Sequence, residues 1–320
     1  MMWLAPHALH IPDGFLSTAV SVIGWVLASI VIGIAIRLTR HQLGERQIPL
    51  MGLLAAFIFA AQTINFPVAT GTSGHLLGGT LAAIVMGPWA ATLIMTAVIV
   101  TQGLLFQDGG LLVMGWNILN MGVFTAFTGY AVYVLVRRLV GEGGRSRLVA
   151  AFVGAWLSVE VGAIATALEL AASGTSPLSL GLPAMASVHA VIGLGEAIIT
   201  TGAIALLQAS RPKVLEAGET APGRKGASFM MVGLIVALVV AIFSPLASQR
   251  PDGLEFVAER EGFLDRSLEP LFELLPDYNV PFVLNEVVTT ILAVVTGTLI
   301  VFGVAWAIGR TTAGKETVGE

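Results

Sequence analysis

Long apolar stretches separated by short polar loops dominate the hydrophobicity pattern of the chain. Nine of them approach the length of about 20 residues that an α-helix needs to cross a bilayer. They lie at 15–36, 50–66, 72–87, 88–106, 111–136, 148–172, 184–208, 228–247 and 282–309. The third and fourth are short and separated only by Gly87, Pro88 and Trp89, so one of them could be tilted or re-entrant. The pattern predicts an all-α polytopic membrane protein.

The loops between these segments carry a strong charge asymmetry. In a nine-span threading, 13 of the 16 Lys and Arg fall on one side, which the positive-inside rule makes cytoplasmic. The N-terminus, the loop 173–183 and residues 248–281 then lie outside. We expect a multi-pass protein of the cytoplasmic membrane with an extracytoplasmic N-terminus.

A polar stretch divides the chain into two modules. Residues 211–227 hold two Pro, three Gly and four basic residues, which is typical of a flexible linker. We predict a seven-helix core over 1–210, a cytoplasmic linker over 211–227 and a C-terminal module with two transmembrane helices over 228–320. The outer loop of that module, 248–281, has eight acidic residues against three Arg. It is either a solvated acidic loop or a device that concentrates cations.

Composition narrows the class of protein. Hydrophobic residues make up 56% of the chain and charged residues 11%, whereas soluble domains average roughly 45–50% and about 25%. A soluble domain, a disordered chain and a coiled coil are thereby excluded, and we expect contact with membrane lipid and none with nucleic acid. The absence of Cys excludes thiolate sites and leaves His, carboxylate, amide and main-chain nitrogen as possible metal ligands. No P-loop sequence is present, so this chain cannot itself be a P-loop ATPase.

Two His residues stand in glycine-containing turns at the predicted outer face. His10 opens HIPDGFLS directly before the first span, and His75 lies in GTSGHLLGG between two spans. A lone His near a helix end is more often structural than a ligand. Two such residues on one face favour a cation site, and no Lys or Arg occurs between Arg46 and Arg137 to repel the ion.

The chain resembles the CbiM/NikM family, the substrate-binding subunits of energy-coupling factor (ECF) transporters for cobalt and nickel. The resemblance rests on HIPDGFLS at 10–17, NFPVATGTSGHLLGGTLAAIVMGPWAA at 65–91, FQDGGLLVMGWNILNMG at 106–122 and HAVIGLGEAIIT at 189–200. PDGLE at 251–255 is similar to the NikN/CbiN-like PDGLE module that accompanies such proteins as a fused partner. The resemblance implies a seven-helix S-component core with two further C-terminal transmembrane helices.

The resemblance also implies a ligand set. In the family, the metal is held by the terminal amine, the next main-chain nitrogen and the imidazole of a His that follows the initiator Met, together with a second His. Those residues correspond to His10 and His75 here. A planar nitrogen set of this kind suits Ni(II), Cu(II) and some Co(II) and disfavours Zn(II) and Mg(II). No permanently bound cofactor is expected, and Ni(II) or Co(II) is the transported substrate.

One departure from the family pattern concerns the start of the chain. His10 is the tenth residue, so the written sequence offers no terminal amine beside it. Three explanations compete: Leu9 is the true first residue and is read as Met, the extension is cleaved, or other ligands including His7 are used. We favour Leu9 as the true N-terminal residue, because a Leu codon of the UUG or CUG type can initiate translation in bacteria.

Several further residues are candidates for supporting roles. Asn65, Asn117, Asn120, His189 and Glu196 are predicted to orient the ligands, although His189 could equally be structural. Of the acids inside apolar segments, Glu160, Glu169, Glu196 and Glu286, only Glu196 is expected near the site. By resemblance, the small-residue face of Ala56 and Ala60 is the candidate docking surface for the coupling subunit.

Three functions remain in competition. The leading hypothesis is the substrate-binding subunit of an ATP-driven ECF importer, with a transmembrane coupling (T) subunit and ATP-binding (A) subunits as partners and no enzymatic activity of its own. A stand-alone ion-coupled metal permease is the second, although no internal repeat is visible. An intramembrane serine protease with a Ser73 and His189 dyad is the third, and it leaves HIPDGF and PDGLE unexplained.

Overall fold

The computed structural model of the chain describes residues 10–40, 43–44, 47–68, 71–141, 143–217 and 224–313. The α-helices of this part are α1 (Thr18–Thr39), α2 (Ile48–Gln62), α3 (Gly79–Met86), α4 (Pro88–Thr101), α5 (Met114–Asn117), α6 (Thr125–Val140), α7 (Gly144–Ala172), α8 (Leu178–Ser210), α9 (Pro212–Ala217), α10 (Arg224–Ile242), α11 (Gly253–Glu261) and α12 (Glu286–Thr312). A small antiparallel hairpin pairs β1 (Phe66–Pro67) with β2 (Ser73–Gly74).

The predicted all-α membrane fold is confirmed. Six helical segments are long and apolar enough to cross a membrane: Thr18–Thr39, Pro88–Phe106, Met114–Val140, Gly144–Ala172, Leu178–Ser210 and Glu286–Thr312. Helix α2 and the stretch Gly226–Ile242 of α10 are apolar but shorter. All nine apolar segments of the sequence therefore contain helix, although they differ in length.

The predicted segment 72–87 is helical only in its second half. Helix α3 has eight residues, about 12 Å at 1.5 Å per residue, and the chain before it forms β2 and an extended turn. Gly78 directly precedes the helix with φ +83°, and a Cβ there would lie 2.6 Å from Ile58. The Gly-rich sequence thus replaces a spanning helix by a turn that brings His75 inside the protein.

Two π-helical stretches occur further along the chain. Helix α4 continues as a π-helix over Gln102–Phe106, and α5 continues as one over Ile118–Phe124 before α6 begins. Such stretches are rare and often mark functional sites. Asp108 follows the first stretch by two residues, Asn117 directly precedes the second, and Asn120 lies within it.

The C-terminal helices pack onto α2. Gly297 of α12 lies over Phe59 and Phe106, where a Cβ would approach their rings to 2.4 and 2.6 Å. On α2, Ala56 and Ala60 are fully buried. The candidate docking surface is therefore covered within the chain itself.

The acidic loop 248–281, which was predicted to lie outside, packs against turns of the core. Main-chain hydrogen bonds join Ser248 to Asn65 (2.8 Å), Leu268 to Asp13 (2.8 Å) and Leu275 to Leu105 (2.9 Å). Most of its acids are exposed or half-buried, as expected of a solvated loop, but Asp252 is buried at 6% exposure.

Candidate metal site

Asn117 fixes the main chain beside His10. Its Oδ1 accepts a hydrogen bond from the Ile11 amide, and its Nδ2 donates one to the Ile11 carbonyl, both at 3.1 Å. The adjoining turn is held by Asp13, whose carboxylate accepts the amide hydrogens of Leu111, Leu112 and Val113 at 2.8–3.2 Å. The HIPDG motif is therefore tied to the segment that follows the first π-helix.

The ring of His10 is buried and paired with Asp108. Its Nδ1 lies 2.9 Å from the Asp108 carbonyl oxygen and 3.0 Å from Oδ1 of the same residue. Burial opposes the protonated ring, but the Asp108 carboxylate outweighs this and raises the pKa of His10 above its usual value. His10 Nε2 is buried and has no hydrogen-bond partner among the described residues.

His75 lies close to His10 but is carried by a different segment of the chain. It follows the hairpin strand β2, and its Nδ1 lies 2.9 Å from the carbonyl oxygen of Leu76. The rings of His10 and His75 stand nearly perpendicular at 82°, with centroids 6.0 Å apart. The two predicted ligand residues are therefore neighbours, although they are 65 positions apart in the sequence.

Glu196 supports the turn that carries His75. Its carboxylate, fully buried on α8, accepts the amide hydrogens of Leu77 at 2.5 Å and of Gly78 at 3.1 Å. The hydroxyl of Thr200 donates to Glu196 Oε1 at 3.4 Å. Glu196 thus acts behind His75, as a support for its main chain.

His189 and Asn120 complete the polar wall. The Nδ1 atom of His189 lies 2.8 Å from the carbonyl oxygen of Met185, one turn earlier on α8. Asn120 Nδ2 donates to Thr166 Oγ1 at 3.2 Å and to Glu169 Oε2 at 2.9 Å. The Oδ1 atom of Asn120 is buried and has no hydrogen-bond partner in the described part of the chain.

Several of the polar side chains described above line one cavity of about 80 Å³. Its lining combines polar residues from the core with three residues of the C-terminal module, and consists of His10, Ile11, Gly74, His75, Leu77, Asn117, Asn120, Met121, Val159, Gly162, Ala163, Thr166, Met185, His189, Ile192, Asp252, Gly253 and Leu254.

The structure separates the predicted site residues into three groups. His10, His75, Asn117, Asn120 and His189 line the cavity, and Glu196 lies behind it. Asn65 is not in the lining, and its carbonyl oxygen instead accepts the amide hydrogen of Ser248 in the outer loop. Leu9 and His7 fall outside the described residues.

Sequence reasoning missed two residues contributed by the C-terminal module. Tyr278 donates a hydrogen bond to Asp108 Oδ2 at 2.6 Å, and Asp252 lines the cavity. Burial raises the pKa of Asp252 to about 7. One signal was present: the tripeptide Pro-Asp-Gly occurs at 12–14 and again at 251–253. Asp252 and Gly253 of the second copy line the cavity, whereas Pro12 and Asp13 of the first line a separate one.

The side chains at the site supply too few ligands to complete a metal site by themselves. Among the described residues, no group of three or more His, Asp or Glu is arranged to hold a metal ion. A metal bound between His10 and His75 would therefore need main-chain or terminal nitrogen as well. The geometry does not favour a protease, because the buried Ser73 hydroxyl donates to the Arg250 carbonyl at 2.8 Å, and no hydrogen bond joins Ser73 to His189 among the residues the structure covers.

Comparison with protein families gives two matches. Residues 10–214 match the family described as "Cobalt uptake substrate-specific transmembrane region", and residues 227–314 match the PDGLE domain.

Similar proteins are named as metal transport proteins. A putative fused nickel transport protein NikMN of Archaeoglobus fulgidus is 35% identical over 305 residues, which is 94% of this chain and 98% of the relative. A cobalt transport protein CbiM of Geobacter sulfurreducens is 32% identical over 274 residues, covering 79% of this chain and 78% of the relative. A crystal structure of a truncated transition metal transporter is similar with a TM-score of 0.57 at 31% identity, covering 62% of this chain and 98% of that one.

Proposed function

The chain belongs to the CbiM family of cobalt-uptake substrate-specific proteins and carries a C-terminal PDGLE domain, and we propose that it captures Ni(II) or Co(II) at the outer face for ATP-driven import. In this proposal it is the substrate-specific subunit of an ECF-type transporter in the cytoplasmic membrane. The observation that carries the proposal is the meeting of His10 and His75 in one buried cavity, with ring centroids 6.0 Å apart.

The available donors favour a metal ion that prefers nitrogen ligands. Imidazole nitrogen suits Ni(II) and Co(II), and the side chains of the described part leave the remaining positions to main-chain or terminal nitrogen. A terminal amine directly before His10 fits this requirement, which is why we retain position 9 as the mature N-terminus. The amine, the His10 amide nitrogen and the ring would then bind the metal together.

Ring geometry adds a condition for that chelate. A His that binds one metal through both its main-chain nitrogen and its ring must use Nδ1, because Nε2 lies on the far side of the ring. In the structure His10 Nδ1 is held by Asp108 at 2.9–3.0 Å. Metal binding therefore requires the His10 ring to exchange Asp108 for the metal ion.

Energy for transport must come from partner subunits. The chain contains no P-loop sequence, so we propose separate ATP-binding subunits and a transmembrane coupling subunit. Ala56 and Ala60 stay the candidate docking surface by resemblance. Both residues are fully buried within the chain, so docking there would require the helices packed around α2 to move.

An uptake experiment tests the proposal. Cells without their own nickel and cobalt importers express this chain alone, with its coupling and ATP-binding subunits, or with an ATP-binding subunit whose P-loop Lys is replaced. We expect metal accumulation only with the complete, active set. Equal accumulation by the chain alone would reject ECF coupling, and a purified chain that binds neither metal would reject the metal function itself.

A further inference from the structure

The segment 250–254 of the C-terminal module is fastened to the turn that carries His75. The amide of Ser73 donates to the Pro251 carbonyl at 2.8 Å, and the hydroxyl of Thr72 donates to the same oxygen at 3.0 Å. The Ser73 hydroxyl donates to the Arg250 carbonyl at 2.8 Å. The module is thereby held directly over the cavity.

Close packing leaves little freedom in this position. Gly253 lies so near the ring of His189 that a Cβ would come within 2.8 Å of Cε1. Leu254 is 8% exposed and joins the apolar cluster that contains Ile11 and Met185. Asp252 lies between Pro251 and these two packed residues, so its side chain is fixed at the cavity wall.

The carboxylate of Asp252 differs in its partners from that of Asp108. Both oxygens of Asp108 are occupied, Oδ1 by His10 and Oδ2 by the Tyr278 hydroxyl. Within the described residues, the Asp252 carboxylate has a single hydrogen bond, which Oδ1 accepts from the Glu255 amide at 2.7 Å, where it caps α11. One carboxylate oxygen therefore remains for another partner.

A divalent ion in a buried cavity needs nearby negative charge. Neutral imidazoles donate electron pairs but do not offset the charge, and burial of an uncompensated ion is costly. We propose that Asp252 supplies this charge, so that the C-terminal module is part of the metal site and strengthens the binding of a divalent transition metal ion held by His10 and His75. This inference rests on the proposed metal-binding function.

The substitution Asp252→Asn isolates the charge. Asn is as good an N-cap as Asp and has nearly the same shape, so the hydrogen bond to the Glu255 amide and the cover over the cavity are retained. In calorimetric titrations of the purified full-length protein with Ni(II) and Co(II), we expect affinity to fall about 10- to 100-fold. Asp265→Asn is the matched control, because Asp265 is an exposed acid of the same module and its substitution should leave affinity unchanged.

Two further measurements make the outcome decisive. Thermal unfolding without metal checks that Asp252→Asn is folded, and Asp252→Ser, which also caps a helix, replaces it if it is not. Wild-type affinity in a folded Asp252 variant would overturn the inference, as would an equal loss in Asp265→Asn. Failure of the proposed function would give a different result: the wild-type protein would not bind the metal, or His75→Ala would bind it with unchanged affinity.

Discussion

The hydroxyl of Tyr278 lies 2.6 Å from Oδ2 of Asp108 and donates a hydrogen bond to it. The other oxygen of that carboxylate lies 3.0 Å from His10 Nδ1, so one carboxylate connects the C-terminal module to a predicted metal ligand. The Tyr278 ring also stacks on Phe106, with centroids 4.5 Å apart. The module is thus joined to the site by polar and apolar contacts together.

Tyr278→Phe should destabilise the protein without a change of shape. Phe keeps the stack on Phe106 but removes the hydrogen bond that the Tyr278 hydroxyl donates to the buried Asp108 carboxylate, which costs about 1–3 kcal/mol. We expect a thermal unfolding midpoint several degrees lower. Tyr130→Phe on α6 is the control, and an equal midpoint in both variants would contradict an important role for this hydrogen bond.

His75→Ala should abolish tight binding of Ni(II) or Co(II) while the protein stays inserted and folded. It removes one of the proposed nitrogen donors, so we expect a loss of at least about 100-fold, above the effect typical of residues that only orient a ligand. Titration calorimetry measures this. His41→Ala, in the predicted cytoplasmic loop, serves as the control, and unchanged affinity in His75→Ala would reject His75 as a ligand.

Gly253→Ala should disturb the cover over the cavity. The new Cβ would lie 2.7 Å from Ile192 Cδ1 and 2.8 Å from His189 Cε1, closer than real side chains allow. Overpacking of this kind costs about 1–3 kcal/mol, so we expect weaker metal binding and faster proteolysis of the outer loop. Gly303→Ala on α12, where no atom lies within 4 Å, should behave like the wild type.

Glu196→Gln should loosen the turn that carries His75. The Gln amide offers only one acceptor oxygen and directs NH2 hydrogens towards the amides of Leu77 or Gly78, which costs about 1–3 kcal/mol. Reduced metal affinity and a lower unfolding midpoint are the expected results. The control is Glu160→Gln on α7, because Glu160 Oε1 accepts no hydrogen bond from the described residues.

The N-terminus provides the fifth prediction. If a terminal amine binds the metal beside His10, native protein should begin at position 9, as intact-mass measurement or N-terminal sequencing would show. A protein forced to keep residues 1–8 should bind weakly, because an internal residue has no primary amine. Tight binding with the extension verified would exclude the terminal-amine chelate and make His7 the next ligand to test.

Hydrophobic patterning predicted the helices well, because membrane-spanning helices must be long and apolar. It overestimated the segment 72–87, where Gly78 and Gly79 allow tight approach and a turn replaces the first half of the expected helix. Local motifs also singled out His10 and His75, since each stands in a distinctive turn, and both residues line one cavity.

The contribution of the C-terminal module was not predictable from the same patterns. Asp252 is 242 residues from His10 in the chain, in a loop whose average composition indicates solvent. Its burial depends on hydrogen bonds from Ser73 and Thr72 to the carbonyl of the preceding Pro251, and such tertiary contacts leave no periodic signal. Asn65 illustrates the reverse case, because it belongs to a motif but contacts the outer loop.

The covalent link between core and module has a consequence for any opening of the cavity. Both partners of the Ser73 to Pro251 hydrogen bond belong to one polypeptide, so if this bond broke, its re-formation would be a unimolecular step whose rate does not depend on protein concentration. The covalent link gives segment 250–254 a high effective concentration at the cavity. Dilution of the protein in a large membrane area does not lower this effective concentration. In the fused chain, segment 250–254 would therefore return to the cavity equally fast when only a few copies are present in a cell.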